Sequence, residues 1–574
     1  MGIKDNLAKI GVTKKEIYRG SSANLSLAIS NSKIVEVNEK NGKILSRENS
    51  RDTAETFKPE TLERGLKSRH AQLIAIGGAI GTGLFVGSSI TLTTCGPASL
   101  FLSFILLGSV VYFVTTQLLA MTVFLPLPGN GPLAFINDFL SPSFGFCLGF
   151  NYFYAFAILV AAEVSVCSLI VGYWNDKISP AVWITIFLAV IIFSNFSPVH
   201  YFGEMEFVAA SIKLIALTGL IILSIVLFFG GGPNQHGVLG FRYWKHSPFK
   251  EHLTKGSTGR FLGLWTAIIK SGFAYITSPE LLSTTAGETV DPRRNGIKAA
   301  RRFIFRLVFF YGAGSLAIGC IVSSTDKHLF GGASDASGSP FVVAIKNAGI
   351  PVLDHIINAV ILTSALSAGN SFLYSASRTL FSMAQRGKAP RFFSNVNRFG
   401  VPYYSVGAAS LFGFLAYLNV SSTSANVFNW LSNISTISGF IGWIAISFAF
   451  LRWRKAIAFH GLTDRIPYKP FGQPFGAWYV IVFMSLITIT NGYAVFFDFN
   501  GADFVAAYIT LPILVVLYCG HLIYSKLKNH SIAFLTPIED IDLVTNLDLI
   551  EEEEQNYEVR EPKNFLQKLW YWIA

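Results

Sequence analysis

Charged residues are scarce in this sequence. Asp, Glu, Lys and Arg make up 14% of its 574 residues, against 51% hydrophobic and 14% aromatic, with a mean hydropathy of +0.47. That balance leaves too little polar surface to coat a soluble domain of this length and excludes that class. Cysteine is sparse as well: Cys95, Cys147, Cys167, Cys320 and Cys519 lie in or at the edges of apolar runs without metal-like spacing, so they read as buried thiols and no metal site is assigned. No GxxxxGK[ST] loop or HExxH pair is present, so ATP-driven and zinc-hydrolytic chemistry have no visible apparatus, and neither a catalytic residue nor a cofactor is assigned. A repeated filter segment of the kind an ion channel needs is missing too. Residues 1–69 lack the apolar core of a cleavable signal peptide, which leaves the first apolar run to serve as the targeting signal.

What the sequence has instead is a series of apolar runs of about 20 residues, the length that crosses a hydrocarbon core of ~30 Å. They begin near Gln72, Ala98, Phe144, Ala181, Phe207, Phe261, Ile304, Val352, Val401, Val427, Trp478 and Asp503. The expectation is an all-α membrane protein of about twelve transmembrane helices. A polar, mostly disordered N-terminal tail (1–69) precedes the helical domain (70–526), and a tail (527–574) with an acidic run and an aromatic end, suited to a membrane surface, follows it. The Lys/Arg-rich connections "DPRRNGIKAARRFIFR", "SRTLFSMAQRGKAPRFFSNVNR" and "RWRKAIAFHGLTDRIPYK" place both termini in the cytosol, although the basic connection 230–260 then falls outside. Cytosolic loops meeting anionic lipid account for the net charge of +11 without a nucleic acid partner.

The first run contains a contradiction. "AIGGAIGTGLFVGS" (75–88) should be a membrane helix, yet it carries five glycines, which weaken helices. Unpaired backbone groups at membrane depth cost several kcal/mol each, so a break survives only where protein, water or a ligand satisfies them. A break at Gly81-Thr82-Gly83 would aim the amides and positive dipole end of the following half-helix at an anion such as a carboxylate. Close packing of small residues explains the same glycines. A second interrupted run, "KSGFAYITSPELLSTTAGE" (270–288), with its break read at Ser278-Pro279, favours the first explanation. Paired interruptions in corresponding halves mark a midplane site in an inverted-repeat transporter, here with spans one to five and six to ten as the repeats.

Ionisable residues inside apolar runs sharpen this reading, because they are costly there and usually face an internal cavity. Glu163, Lys213, Lys270 and Glu280 are of this kind. Lys270, Phe273 and Thr277 are spaced to share one helical face, while Lys270 snorkelling outward or Glu280 capping its half-helix are the bland alternatives. Ser364, Ser367 and Asn370 form one polar cluster, and Asn433, Ser435, Thr436 and Ser438 another; hydrogen bonding between helices explains most of them.

The ordered segments "LKSRHAQLIAIGGAIGTGLFVGSS", "GFNYFYAFAILVAAE", "YFGEMEFVAASIK", "AGETVDPRRNGIKAARRFIFR", "NAVILTSALSAGNS" and "SASRTLFSMAQRGKAPRFF" resemble the fungal amino acid permeases of the amino acid–polyamine–organocation superfamily. "IILSIVLFFGGGPN", "AYLNVSSTSANVFNWLSNISTISGF" and "SLITITNGYAVF" look most like its proline and neutral amino acid permeases. The resemblance implies a five-plus-five inverted-repeat transporter with helices 1 and 6 broken, importing a small amino acid with protons across the plasma membrane. It implies that Gly81, Thr82 and Gly83 hold the substrate carboxylate and that Phe273, Tyr275, Ile276, Thr277 and Ser278 receive the amine. Lys270 joins in recognition, Asn370 and Thr436 line the site, and Lys213 and Glu163 couple protons. Three positions depart from the family pattern: Ala120 replaces a glutamate, Phe150 a tryptophan and Ser278 a glycine. A basic or broad-range permease is the alternative within the class, and an amino acid sensor on the same scaffold the alternative outside it; family sensors have a longer N-terminal domain. By the same analogy Lys4, Lys9, Lys14 and Lys15 are sites for the ubiquitin machinery. Asn419, in "NVSS", fits the glycosylation pattern but lies close to the membrane.

Overall fold

The structure is a computed structural model. It describes residues 24–29, 33–38, 44–46 and 564, and 81–555 apart from 127–130, 176, 236, 246, 288–292, 294–295, 330–337, 421–423, 529–532 and 545–546. The start of the first run at Gln72, the lysines at 4, 9, 14 and 15 and the aromatic C-terminus lie outside the described residues. The chain forms two units, 1–62 and 63–574. In the first, β1 (Asn24–Ile29), β2 (Lys33–Asn38) and β3 (Ile44–Ser46) make an antiparallel sheet in the order β1-β2-β3, with Leu25 opposite Val37 and Val37 opposite Ile44. The tail read as mostly disordered therefore holds a sheet, and the period-2 alternation of Leu25, Leu27 and Ile29 is the signal that its polar composition masked.

In the second unit the described helices follow the apolar runs. They are α1 (Gly83–Cys95), α2 (Pro97–Phe124), α3 (Pro142–Gly172), α4 (Pro180–Asn195), α5 (Val199–Phe228) and α6 (Gly256–Tyr275). After them come α7 (Ser278–Gly287), α8 (Ile297–Ile321), α9 (Leu353–Gln385), α10 (Tyr403–Gly413) and α11 (Ser424–Phe459). The last are α12 (Phe475–Thr490), α13 (Gly501–Tyr508), α14 (Thr510–Leu527) and α15 (Leu547–Gln555). Proline stands in the first turn of α2, α3 and α4, where its missing N–H has no intrahelical partner to lose. Eight described helices are long and apolar enough to cross a membrane. The extensive pairings α2 with α8 and α3 with α9 join the second span to the seventh and the third to the eighth, as a two-fold relation between halves requires.

Helix α5 shows how the sequence sorts charge from lipid. Glu206, Ala210, Lys213, Leu217, Leu220, Ser224 and Leu227 recur every three or four residues and are buried. Met205, Val208, Ile212, Ile215, Ile222 and Ile225 form the opposite, exposed stripe. Glu206 and Lys213 therefore face protein, while Glu204, near the start of the helix, is exposed.

The small residues of the first run also pack closely. A Cβ on Gly83 would stand 2.5 Å from Ala274 Cα on α6, so backbone meets backbone there, whereas one on Gly87 would meet only Phe273 Cδ1 at 3.9 Å. The packing explanation thus holds at Gly83. Asn419 is buried with its amide donating to Ser168 Oγ at 3.4 Å, which removes it as a glycosylation site.

The described part of the C-terminal tail lies on the protein. Thr536 N–H donates to Leu140 O at 2.7 Å, and Ile541, Leu543 and Leu547 are buried. Arg465, after α11, grips Glu551 through Nε at 3.0 Å and Nη2 at 2.7 Å and Asp548 at 2.6 Å; Arg293 stands 4.0 Å from Glu551. The acidic run read as membrane-associated is thus matched to arginines of the Lys/Arg-rich face, whose fork geometry suits carboxylates.

Two outcomes follow from this packing. Gly83→Val is expected to destabilise detergent-extracted protein by at least ~1–3 kcal/mol in a thermal unfolding assay, while Gly87→Ala stays near wild type. Arg465→Ala is expected to expose the C-terminal helix to limited proteolysis at concentrations that leave wild type and Lys469→Ala intact.

Candidate functional site

Both expected breaks bear on one region. After Gly81, Thr82 leads into a wide π-turn over Gly83–Gly87, followed by the α-helical turns Ser88–Cys95. Thr82 is fully buried and donates through Oγ1 to Glu163 Oε1 on α3 at 3.0 Å. Gly81 is tight against the same carboxylate, since a Cβ there would lie 3.3 Å from Glu163 Oε1 and 3.8 Å from Ala368 Cβ. Glu163 Oε2 has no hydrogen-bond partner among the described residues.

The second break is not where the sequence suggested. Helix α6 ends at Tyr275, Ile276 is extended (φ −55°, ψ 148°), and Thr277 takes φ +69°. Ser278-Pro279 instead opens α7, because proline is tolerated in a first turn and Thr277 O accepts the Leu281 N–H at 3.0 Å. A β-branched residue in the left-handed region costs about 1–3 kcal/mol and persists only where its surroundings hold it. Thr277 therefore leaves the helical face predicted for Lys270, Phe273 and Thr277; only the first two remain on α6. The Thr277 and Ser278 hydroxyls are buried and have no hydrogen-bond partner among the described residues.

The loosened ends of the second break are held from α2 and α8. Tyr311 on α8 donates to Ala274 O at 2.6 Å, and Tyr275, whose ring packs with Phe104 and Tyr311, donates to Phe104 O at 2.9 Å. Ser103 and Ser271 oxygens lie 2.8 Å apart, and those of Thr122 and Ser283 2.9 Å apart, so α2 binds both halves. Arg293, just beyond α7, donates to Val123 O and Phe124 O, both at 3.1 Å. Tyr275 thus points at the scaffold, and Ile276 is buried against Gly439.

Phe273 meets Phe428 edge to face at 5.2 Å and stands near Gly87, between the two broken spans and α11. Half-buried Lys270 makes no hydrogen bond or ion pair with the described residues, and the carboxylate that bears on it is that of Asp503. Glu280, in the first turn of α7, is buried and accepts from the Tyr152 hydroxyl at 3.0 Å. Thr436 lies beside Gly272 and bonds back to Ser432 O at 2.6 Å. Asn370 Oδ1 accepts from Asn195 Nδ2 at 2.7 Å and so serves as a link between α4 and α9. Ala120 is fully buried, an apolar packing position where a carboxylate was expected.

Lys213 is buried and donates to Ser367 Oγ at 3.1 Å on α9. Ser367 lies 2.8 Å from both oxygens of Glu206, a buried carboxylate that the sequence reading did not single out. Its signal was available: Glu206 and Lys213 are seven residues apart, two turns along one helical face. Gly369 lets α9 approach Glu163, since a Cβ there would stand 3.4 Å from Glu163 Cβ. The first break thus adjoins a buried cluster of Glu163, Glu206 and Lys213, while the second presents free hydroxyls.

The arrangement has counterparts among known proteins. A model of the amino acid permease family matches residues 70–533. The chain is 51% identical over 514 residues to the proline-specific permease of Saccharomyces cerevisiae, spanning 88% of this chain and 81% of that one. It is 48% identical over 532 residues to the proline-specific permease of Emericella nidulans, spanning 90% and 96%. Among solved structures, the Eremococcus coleocola manganese transporter superposes with a TM-score of 0.50 at 15% identity, spanning 83% of this chain and 97% of that one, which is a likeness of fold. A family match across most of the length and relatives near half identical establish that this chain belongs to the amino acid permease family, and the likeness of fold is to a transporter, with the sixth span of this chain broken at Ile276-Thr277.

Proposed function

We propose that this permease imports proline, and other small neutral L-amino acids less well, by symport with protons across the plasma membrane, with both termini in the cytosol. The near-half identity to two proline-specific permeases over most of the chain carries the substrate assignment. The geometry supports it. Amides of the first turn of α1 suit a carboxylate, with Gly81 giving backbone access. Thr82 is committed to Glu163 through both its hydroxyl and its main-chain N–H, and Gly83 is committed to helix contact, so the carboxylate is left to the amides that follow. On the facing side, Phe273 offers an apolar wall, and the unpartnered Thr277 and Ser278 hydroxyls offer acceptors for the substrate ammonium. A cationic substrate would bring a second positive charge toward Lys270, which no described carboxylate pairs. Proton coupling rests on the buried Glu163 and Lys213 beside the first break, since buried charges are retained where function requires them.

Radiolabelled proline uptake in a permease-deficient yeast strain tests this reading. Uptake is expected to be competed by small neutral amino acids and hardly by arginine or lysine, to fall when a protonophore collapses the gradient, and to be reduced in Lys270→Ala. Strongest competition by arginine or lysine would contradict the substrate assignment. Uptake indifferent to the protonophore would contradict the coupling.

A further inference from the structure

We propose that Glu206 and Ser367 form the inward proton relay of this carrier, taking the coupling proton from Lys213 and passing it toward the Lys/Arg-rich face. The inference rests on the proton-symport reading and adds two residues to it. Its basis is a chain of contacts: Lys213 Nζ to Ser367 Oγ at 3.1 Å, and Ser367 Oγ to both Glu206 oxygens at 2.8 Å. Lys213 and Glu206 are each 1% exposed and Ser367 8%, so bulk water does not carry the proton between them.

The step balances within the three groups. The Lys213 N–H bond breaks as Ser367 Oγ gains that proton, and the Ser367 O–H bond breaks as a Glu206 oxygen gains its own. An ammonium and a carboxylate become an amine and a carboxylic acid, with Ser367 unchanged. Net charge is the same before and after, and the product state buries two neutral groups instead of two ions, so the low-dielectric interior does not oppose the transfer. No oxidant or further reactant is needed.

Direction follows from position. Seven residues at 1.5 Å rise put Glu206 ~10 Å from Lys213, toward the start of α5 at Val199. One turn further, Phe202 stacks on Tyr374 with ring centroids 4.3 Å apart, and that pair lines a cleft with Ser194, Ser197, Ser377 and Arg378. The aromatic pair separates Glu206 from the cleft, and a shift of α9 against α5 would open the way. On the other side, Lys213 feels Glu163, which holds Thr82 at the substrate break. The groups around the relay are Glu163 from α3, with Tyr311 of α8 near it, and Ser367, Tyr374 and Arg378 from α9; α8, which packs on α5, also carries Arg301, Arg302 and Arg306 in its first three turns.

The test uses full-length protein in proteoliposomes, comparing wild type, Glu206→Gln and Glu206→Asp for two activities. One is proline accumulation driven by an imposed pH gradient, and the other is proline–proline exchange, which needs no net proton movement. In Glu206→Gln, gradient-driven accumulation is expected to fall ~10-fold or more while exchange stays within ~2-fold of wild type. Glu206→Asp is expected to recover part of the accumulation. Accumulation unchanged in Glu206→Gln would overturn the relay, and so would loss of exchange in both variants, which would make Glu206 a structural residue. Wild type that ignores the gradient would overturn the proton-symport reading and the relay with it; wild type that responds while Glu206→Gln matches it would overturn the relay alone.

Discussion

A helix broken at membrane depth is stable only beside elements that satisfy what the break exposes. In this permease, unbroken α2 does most of that work for the second break. Ser103 and Phe104 hold the end of α6, Thr122 holds α7, and the last carbonyls of α2 receive Arg293. From Ser103 to Thr122 the helix rises ~28 Å, nearly a membrane core in length, so one straight rod fixes both halves of a bent one. Tyr311 on α8 supplies what α2 does not, a hydroxyl for Ala274 O.

With the ends held, the centre is left for ligand. Satisfied backbone at Ala274 contrasts with the unpartnered hydroxyls at Thr277 and Ser278 only a few residues on. The left-handed Thr277 marks the same point, since such strain is stored where the scaffold dictates the conformation. The first break meets the second through Gly83 on Ala274 and turns its other side to Glu163. The start of α1 thus touches Ala274 at Gly83 and Glu163 at Gly81 and Thr82.

Much of this was legible in the sequence. The Ser-Pro interruption identified the broken sixth span, and Glu163 and Lys213 stood out as charges in apolar runs. The exact residue of the second break was not, because proline marks either an interruption or a first turn and only the Leu281 N–H to Thr277 O bond distinguishes them. Glu206 escaped because it stands near the start of its apolar run, among the polar residues of "YFGEMEF", and its burial depends on α9. Asn370 was read as lining the site; its amide's commitment to Asn195 is a tertiary fact that no periodicity carries. The docking of Asp548 and Glu551 on Arg465 pairs residues more than eighty positions apart, beyond the reach of local patterns.

The substrate assignment depends most on the unpartnered hydroxyls of Thr277 and Ser278 at the second break receiving the amino acid. The most direct measurement is thiol accessibility at its most buried hydroxyl: Ser278→Cys in a background with the exposed Cys519 replaced by serine, labelled in membranes with a charged methanethiosulfonate, with and without proline. The account predicts labelling that proline slows and arginine does not. A thiol that never reacts, or one that reacts at the same rate with saturating proline, would contradict it.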